Sequence, residues 1–234
     1  MSNKVCKLQT PVSEEQVRAL RVGDVVYLDG TVFTARDLAH ERLIEMADKG
    51  KPPLFDLNGG AIWHCGPVSR KKDNGEWEVT SIGPTTSYRL TNETPFMLRR
   101  HGVRLIIGKG GMGLPTVEAM KQYGAVFLAA TGGCATIYAE NVQKVNEVYW
   151  EEELGLPEAV WELNVNNLGA MVVAIDSTGA TLYEQVMEKA VAKMPECYAK
   201  IGIKNPEAAM IHWPPALSGT KDVPAGMLKV GGGA

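Results

Sequence analysis

The stretch from Val103 to Tyr123 does most to restrict what this chain can fold into. An apolar run, Val103-Arg104-Leu105-Ile106-Ile107, leads directly into Gly108-Lys109-Gly110-Gly111-Met112-Gly113, and a helix-patterned segment, Thr116 to Tyr123, follows. Strand, glycine loop and helix in that order begin a βα unit. The run Ala125 to Ala129 supplies the next strand, and Glu93 to His101 a helix before the first. Further strands are expected at Val145 to Tyr149 and Ala170 to Ile175, with a long helix from Leu182 to Lys193.

The first ninety residues have a different rhythm. Val25-Val26-Tyr27-Leu28, a turn at Asp29-Gly30 and Thr31-Val32-Phe33 read as a hairpin. A helix from Asp37 to Lys49 ends before Lys51-Pro52-Pro53. Ala61 to Trp63 and Trp77 to Thr80 are candidate strands, with a charged turn between them at Arg70 to Gly75. Hairpins followed by βα alternation predict an α/β domain with more than one sheet. No internal repeat is visible. From residue 204 the chain is rich in proline and glycine and reads as a tail, so the expected division is a domain over 1–203 and a tail over 204–234.

Composition narrows the function classes. Of 234 residues, 45% are hydrophobic and 22% charged, with a net charge of -3, so neither a basic footprint for nucleic acid nor a disordered composition is present. No apolar stretch reaches the length of a membrane span. The N-terminal segment MSNKVCKLQT lacks the apolar core of a signal peptide, which predicts a cytoplasmic protein. Cys6, Cys65, Cys134 and Cys197 are widely spaced, so neither a disulfide framework nor a metal site on this chain is expected.

Three islands carry the chemistry: Thr34-Ala35-Arg36-Asp37-Leu38-Ala39-His40, Gly83-Pro84-Thr85-Thr86-Ser87-Tyr88-Arg89, and the glycine loop. Arg36 falls at a helix start, with Thr34 as a possible N-cap and Asp37 in a capping-box position. A cation at that already positive end is easily accommodated when an anion shares it. An exposed arginine, or one paired with Asp37, is the plainer reading. Gly83 and Pro84 fix a turn from which the Thr85 and Thr86 hydroxyls emerge. A threonine becomes a usable base only where cations such as Arg36, Arg89 and Lys109 lower its pKa, or where it passes its proton onward. The glycine loop formally matches G-x-G-x-x-G, but the strand after it lacks the acid that would hold a ribose. It reads more simply as a loop offering backbone N–H groups and the Lys109 ammonium to a carboxylate. His64 is expected to be a framework histidine, and His40 to orient a neighbour. The islands hold cations and hydroxyls without an acid to complete the chemistry, which suggests half of a site whose remainder lies on a partner.

Taken in order, Arg21-Val22-Gly23-Asp24-Val25, Thr34-Ala35-Arg36-Asp37, Gly66-Pro67, Gly83-Pro84-Thr85-Thr86 with Arg89, and Gly108-Lys109-Gly110 resemble the β subunit of two-subunit iron–sulfur hydro-lyases. These are class I fumarate hydratase and L(+)-tartrate dehydratase. The likeness runs from about residue 8 to 190. It implies a swivelling β/β/α domain, with Thr85 as catalytic base. It also implies that Arg36, Arg89, Lys109 and Thr86 bind substrate, supported by His40, His64, Gly83, Gly108 and Gly110. The [4Fe-4S] cluster is expected on a partner α subunit, in a dimer of αβ pairs acting on a 2-hydroxy dicarboxylate. Asp56-Leu57-Asn58-Gly59, Ser87 and the glycine loop look closer to tartrate dehydratase, whereas Thr34 to Asp37 and Tyr123-Gly124-Ala125-Val126 look closer to fumarase. A non-catalytic dicarboxylate-binding module and a nucleotide-binding module remain the alternatives.

Overall fold

The computed structural model of the chain describes residues 3–202. The tail expected over 204–234 lies outside the described residues. In chain order the elements are β1 (Val5–Gln9), α1 (Glu14–Arg18), β2 (Val25–Thr34), α2 (Asp37–Asp48), β3 (Ala61–Trp63), β4 (Val68–Lys71) and β5 (Trp77–Ser81). A 3-10 turn (Ser87–Leu90) follows, then α3 (Thr94–His101), β6 (Leu105–Gly108), α4 (Leu114–Tyr123), β7 (Val126–Ala129) and α5 (Ala135–Glu140). The last elements are β8 (Val142–Tyr149), α6 (Glu151–Leu154), β9 (Val160–Ile175) and α7 (Leu182–Lys200). The chain divides into a unit ending at Tyr183 and a second beginning at Glu184.

The first unit is mixed α/β with two sheets, as the sequence predicted. The large sheet has the order β1-β2-β3-β6-β7-β9-β8, and β2 also pairs with β9. That extra pairing closes β2, β3, β6, β7 and β9 into a ring, with β1 and β8 as flanks. β2, β3, β6 and β7 are mutually parallel, and β9 closes the ring antiparallel to β2 and β7. β4 and β5 form a separate antiparallel hairpin.

Alternation along the strands builds two cores. Trp63, Leu105, Ile107, Val126, Leu128, Leu163 and Val173 point to one face, with Val17 of α1 and Tyr138 of α5. Ile62, Ile106, Phe127 and Ala174 point to the other, where Leu43 of α2, Met97 of α3 and Val117 and Met120 of α4 cover them. The helices have local reasons to stop where they do. Gly102 (φ 67°) and Gly124 (φ 66°) end α3 and α4 in the left-handed conformation, where a glycine meets no Cβ penalty.

Several expectations need correction. Asp29-Gly30 does not turn the chain back: β2 runs unbroken from Val25 to Thr34. Gly30 has φ 96°, and the pairing with β9 shifts register on either side of Leu28, so the glycine makes a bulge in a long strand. β9 is likewise one strand from Val160, rather than one starting at Ala170. Arg70 and Lys71 belong to β4, and only Lys72 to Glu76 turns. Thr34 is not the N-cap of α2. Its Oγ1 accepts the backbone N–H of Trp161 at 3.0 Å, fastening β2 to β9, and Arg36 takes the cap position without a side-chain cap. Asp37 accordingly completes no capping box and pairs elsewhere.

Candidate active site

Four parallel strands end on the same side of the sheet, and the chemistry-bearing residues stand just past those ends. Arg36 is two residues beyond β2, His64 one beyond β3, Lys109 one beyond β6, and Gly132 three beyond β7. Loops at the carboxyl ends of parallel strands are where α/β folds place ligands. Backbone hydrogen bonds carry the order of the sheet into these loops. Ala35 N–H donates to Trp63 O (3.0 Å), His64 N–H to Ile107 O (2.8 Å) and Ala130 N–H to Gly108 O (2.8 Å).

The threonine loop is threaded into that array. Thr85 N–H donates to His64 O at 2.7 Å, and Ser87 N–H donates to Lys109 O at 3.0 Å. Thr86 and Lys109 form an isolated parallel bridge. At the other end of the loop, Ile82 N–H donates to Ala135 O at 2.9 Å, and a Cβ added to Gly83 would stand 3.0 Å from the Ala135 side chain. Three loops far apart in sequence, around Arg36, Thr85 and Lys109, are therefore tied to neighbouring strand ends. Thr85 is half-buried and Thr86 exposed.

The cations are not equally free. Arg89 reaches Asp37 through two hydrogen bonds, Nε to Oδ1 at 3.2 Å and Nη2 to Oδ2 at 2.8 Å. This fork holds the Asp37 carboxyl below its usual pKa and pins the 3-10 turn to the first turn of α2. Arg36 Nε stands 3.1 Å from Glu158 Oε1, and Glu158 Oε2 accepts the Leu38 N–H at 3.1 Å. Glu158 thus caps α2 and orients Arg36 together. The expected Arg36–Asp37 pair does not form, because Asp37 is held by Arg89. Both Nη groups of Arg36 are left without a hydrogen bond to a described residue, as is the ammonium of Lys109. Nothing in the sequence around Glu158 marked it; it reaches the site only because β9 follows β2 in the ring.

Two imidazoles underlie the cations. His40 and His64 are fully buried, their rings 5.3 Å apart and edge to face. His40 Nδ1 donates to Arg36 O at 2.7 Å, and His64 Nδ1 is hydrogen-bonded to Ser87 Oγ at 2.9 Å. Burial lowers the pKa of both, and the positive charge of Arg89 adds to the shift at His64.

The glycine loop is fixed by its backbone. Gly110 (φ 79°) and Gly111 (φ 77°) are consecutive left-handed residues, which only glycine adopts without strain. At the head of α4 the Gly113 N–H is taken by Thr91 Oγ1 (3.0 Å), and Pro115 has no N–H to offer. Two of the positions at the helix head thus offer no free N–H to a pyrophosphate, which weighs against the nucleotide reading. The described residues also do not suit a resident iron–sulfur cluster. Cys65 is buried with its thiol pKa pushed well up by burial, and no group of three or more His, Cys, Asp or Glu among the described residues could hold a metal ion. What gathers here is cationic and hydroxylic, suited to carboxylates.

Comparison with known proteins agrees with this chemistry. Residues 1–186 match the fumarase C-terminus family. The chain is 45% identical over 185 residues to the "Putative L(+)-tartrate dehydratase subunit beta" of Methanocaldococcus jannaschii, covering 79% of this chain and 94% of that one. It is 44% identical over 176 residues to the L(+)-tartrate dehydratase subunit beta of Escherichia coli K12, covering 75% of this chain and 85% of that one. It is also 44% identical over 194 residues to the "Putative fumarate hydratase class I" of Geobacillus stearothermophilus; the match covers 82% of this chain but only 36% of that longer protein. With most of its length matched at these identities, the chain belongs to the fumarase C-terminus family.

Proposed function

We propose that this chain is the β subunit of a two-subunit hydro-lyase that reversibly removes water from a 2-hydroxy dicarboxylate, with L(+)-tartrate as the substrate and oxaloacetate as the product. The observation that carries this reading is the gathering of the Arg36, Thr85, Arg89 and Lys109 loops at the ends of adjacent parallel strands. The substrate choice follows the two relatives whose own length this chain largely spans, both named as tartrate dehydratase β subunits. Malate–fumarate interconversion is the second reading, favoured by the fumarate hydratase relative.

In this reading the Arg36 Nη edge and the Lys109 ammonium hold the substrate carboxylates. Arg89, turned toward Asp37, closes the cationic wall, and Thr86 adds a hydroxyl at its rim. Thr85 removes the proton beside a carboxylate, and the surrounding cations favour its deprotonated form. The same cations stabilise the charge that develops on that carboxylate. His40 and His64 hold the loops from beneath, Gly83 and Gly108 allow their close approach, and Gly110 supplies the left-handed backbone of the glycine loop.

The [4Fe-4S] cluster belongs to an α subunit in this proposal, since the donors of this chain suit carboxylates rather than iron. The first unit is then the swivelling β/β/α domain, within a domain over 1–203 and a tail over 204–234, in a cytoplasmic dimer of αβ pairs without nucleic-acid or membrane partners. Among the described residues no helix is long and apolar enough to cross a membrane. Co-expression with the α-type subunit and assay with tartrate, malate and fumarate tests the proposal. Tartrate turnover by the pair, with none by either chain alone, is expected. A pair that turns over none of the three contradicts it.

A further inference from the structure

Ser87 stands out within its loop. Thr86, Tyr88 and Arg89 on either side of it are exposed, yet Ser87 is fully buried. Its two polar groups face two different site loops. The backbone N–H donates to Lys109 O at 3.0 Å, and the hydroxyl is hydrogen-bonded to His64 Nδ1 at 2.9 Å. His64 in turn accepts the Thr85 N–H on its carbonyl at 2.7 Å and donates its own N–H to Ile107 O at 2.8 Å. The hydroxyl occupies space that exists only because residue 108 is glycine: a Cβ there would overlap Ser87 Oγ and stand 3.1 Å from Ser87 Cβ. Behind His64 lies His40, whose Nδ1 holds Arg36 O at 2.7 Å.

We infer that Ser87, acting through His64, is a positioning residue that sets the separation of Thr85 from Lys109. The geometry has one hinge point. Thr85 hangs on the His64 carbonyl, Lys109 on the Ser87 amide, and the Ser87 hydroxyl to His64 ring bond is the only side-chain link between those two anchors among the described residues. Breaking it leaves the backbone ties Thr85–His64, Ser87–Lys109 and His64–Ile107 in place but removes the side-chain link that holds the Ser87 turn against His64, so Thr85 can shift relative to Lys109. Misplacement of a catalytic group by about 1 Å can cost on the order of a hundredfold in rate. The buried imidazole is an unusual means of holding a turn, since burying a polar ring is costly unless it is hydrogen-bonded. The Nε2 of His64 has no hydrogen-bond partner among the described residues, so the Nδ1 bond to Ser87 is the one polar contact of the ring, and it joins two loops of the site.

The inference rests on Thr85 being the base, and its test separates the two claims. The co-expressed αβ enzyme is assayed with tartrate as wild type, Ser87→Ala, Gly108→Ala, the double variant, His64→Asn and His64→Leu. Ser87→Ala is expected to lower kcat about tenfold or more while KM stays within about threefold, because the carboxylate-binding cations remain in place. Gly108→Ala, which displaces the hydroxyl, should give a similar loss, and the double variant should be no worse than the poorer single variant. Asparagine at 64 keeps a hydrogen-bonding group near Nδ1 and should retain more kcat than leucine. If Ser87→Ala lowers thermal stability but leaves kcat per folded enzyme unchanged, or if the Ser87 and Gly108 effects multiply, the positioning role is overturned. Should Ser87→Ala fail to fold, the His64 pair decides: equal kcat for asparagine and leucine overturns it. A wild-type pair inactive on tartrate, malate and fumarate refutes the functional reading instead.

Discussion

Acidification should destabilise this fold before its carboxylates begin to titrate. His40 and His64 are both fully buried, with their rings 5.3 Å apart. Burial lowers both pKa values; the hydrogen bond to Arg36 O and then the Asp37 charge only partly oppose this at His40, and His40 and Arg89 reinforce it at His64. In the unfolded chain each histidine takes up its proton near a pKa of about 6.5. A folded pKa lying below the unfolded one means that the unfolded state binds more protons as pH falls between the two values. Stability is therefore fully present above about pH 6.5 and declines below it, by at most about 1.4 kcal/mol per pH unit for each histidine. Both histidines push stability the same way as pH falls below about 6.5, His64 the more strongly because its pKa is lowered further. Asp37, whose pKa is lowered chiefly by its hydrogen bonds with Arg89, shifts stability in the same direction, but only as pH falls below its unfolded value of about 3.9. The two windows are thus separable. Urea melts of the purified chain across this range measure the slope, and His64→Asn should reduce it, leaving the shares of His40 and of His101, whose pKa burial also lowers. A stability that stays flat between about pH 6 and pH 5, or a slope untouched by His64→Asn, refutes the reasoning.

Gly66→Ala would force a Cβ into the carbonyl oxygen of Pro157, next to the Glu158 that orients Arg36. It should cost about 1–3 kcal/mol in a chemical melt and raise the KM of the assembled enzyme; an unchanged melt and KM would contradict the packing described. Phe127→Ala empties a fully buried site between β7 and the covering helices and should cost about 3–5 kcal/mol in the same assay, and a loss below about 1 kcal/mol would show that this core is misdescribed. Lys109→Met removes one charge-assisted bond to substrate and should lower kcat/KM about 10- to 150-fold with stability nearly unchanged; wild-type kcat/KM would remove Lys109 from the site.

The helices and the parallel strands were legible because their signals are local. Apolar runs closed by Gly102, Gly124 or Lys51-Pro52-Pro53 set the limits of α2, α3, α4, β6 and β7 to within a few residues. The failures share a non-local cause. Asp29-Gly30 has the residues of a hairpin turn, yet Gly30 bulges within a strand because β9 pairs along both halves of β2. Thr34 has the side chain of an N-cap but is claimed by Trp161, 127 residues later. Among site residues, Arg36, Thr85, Arg89 and Lys109 were visible as cations and hydroxyls at element edges, and the strand order brings their loops together. Their partners were not visible. Glu158 sits in an ordinary acidic stretch, and the burial of Ser87 depends on a glycine 21 positions away that forms a different loop.

Thr85→Ala in the co-expressed αβ enzyme tests the central claim most directly, with tartrate turnover and tartrate affinity measured on the same preparation. A fall in kcat of at least about a hundredfold, with affinity held within about threefold, is the result expected if the cations bind the substrate and the hydroxyl takes the proton. Turnover near that of the wild type would contradict it.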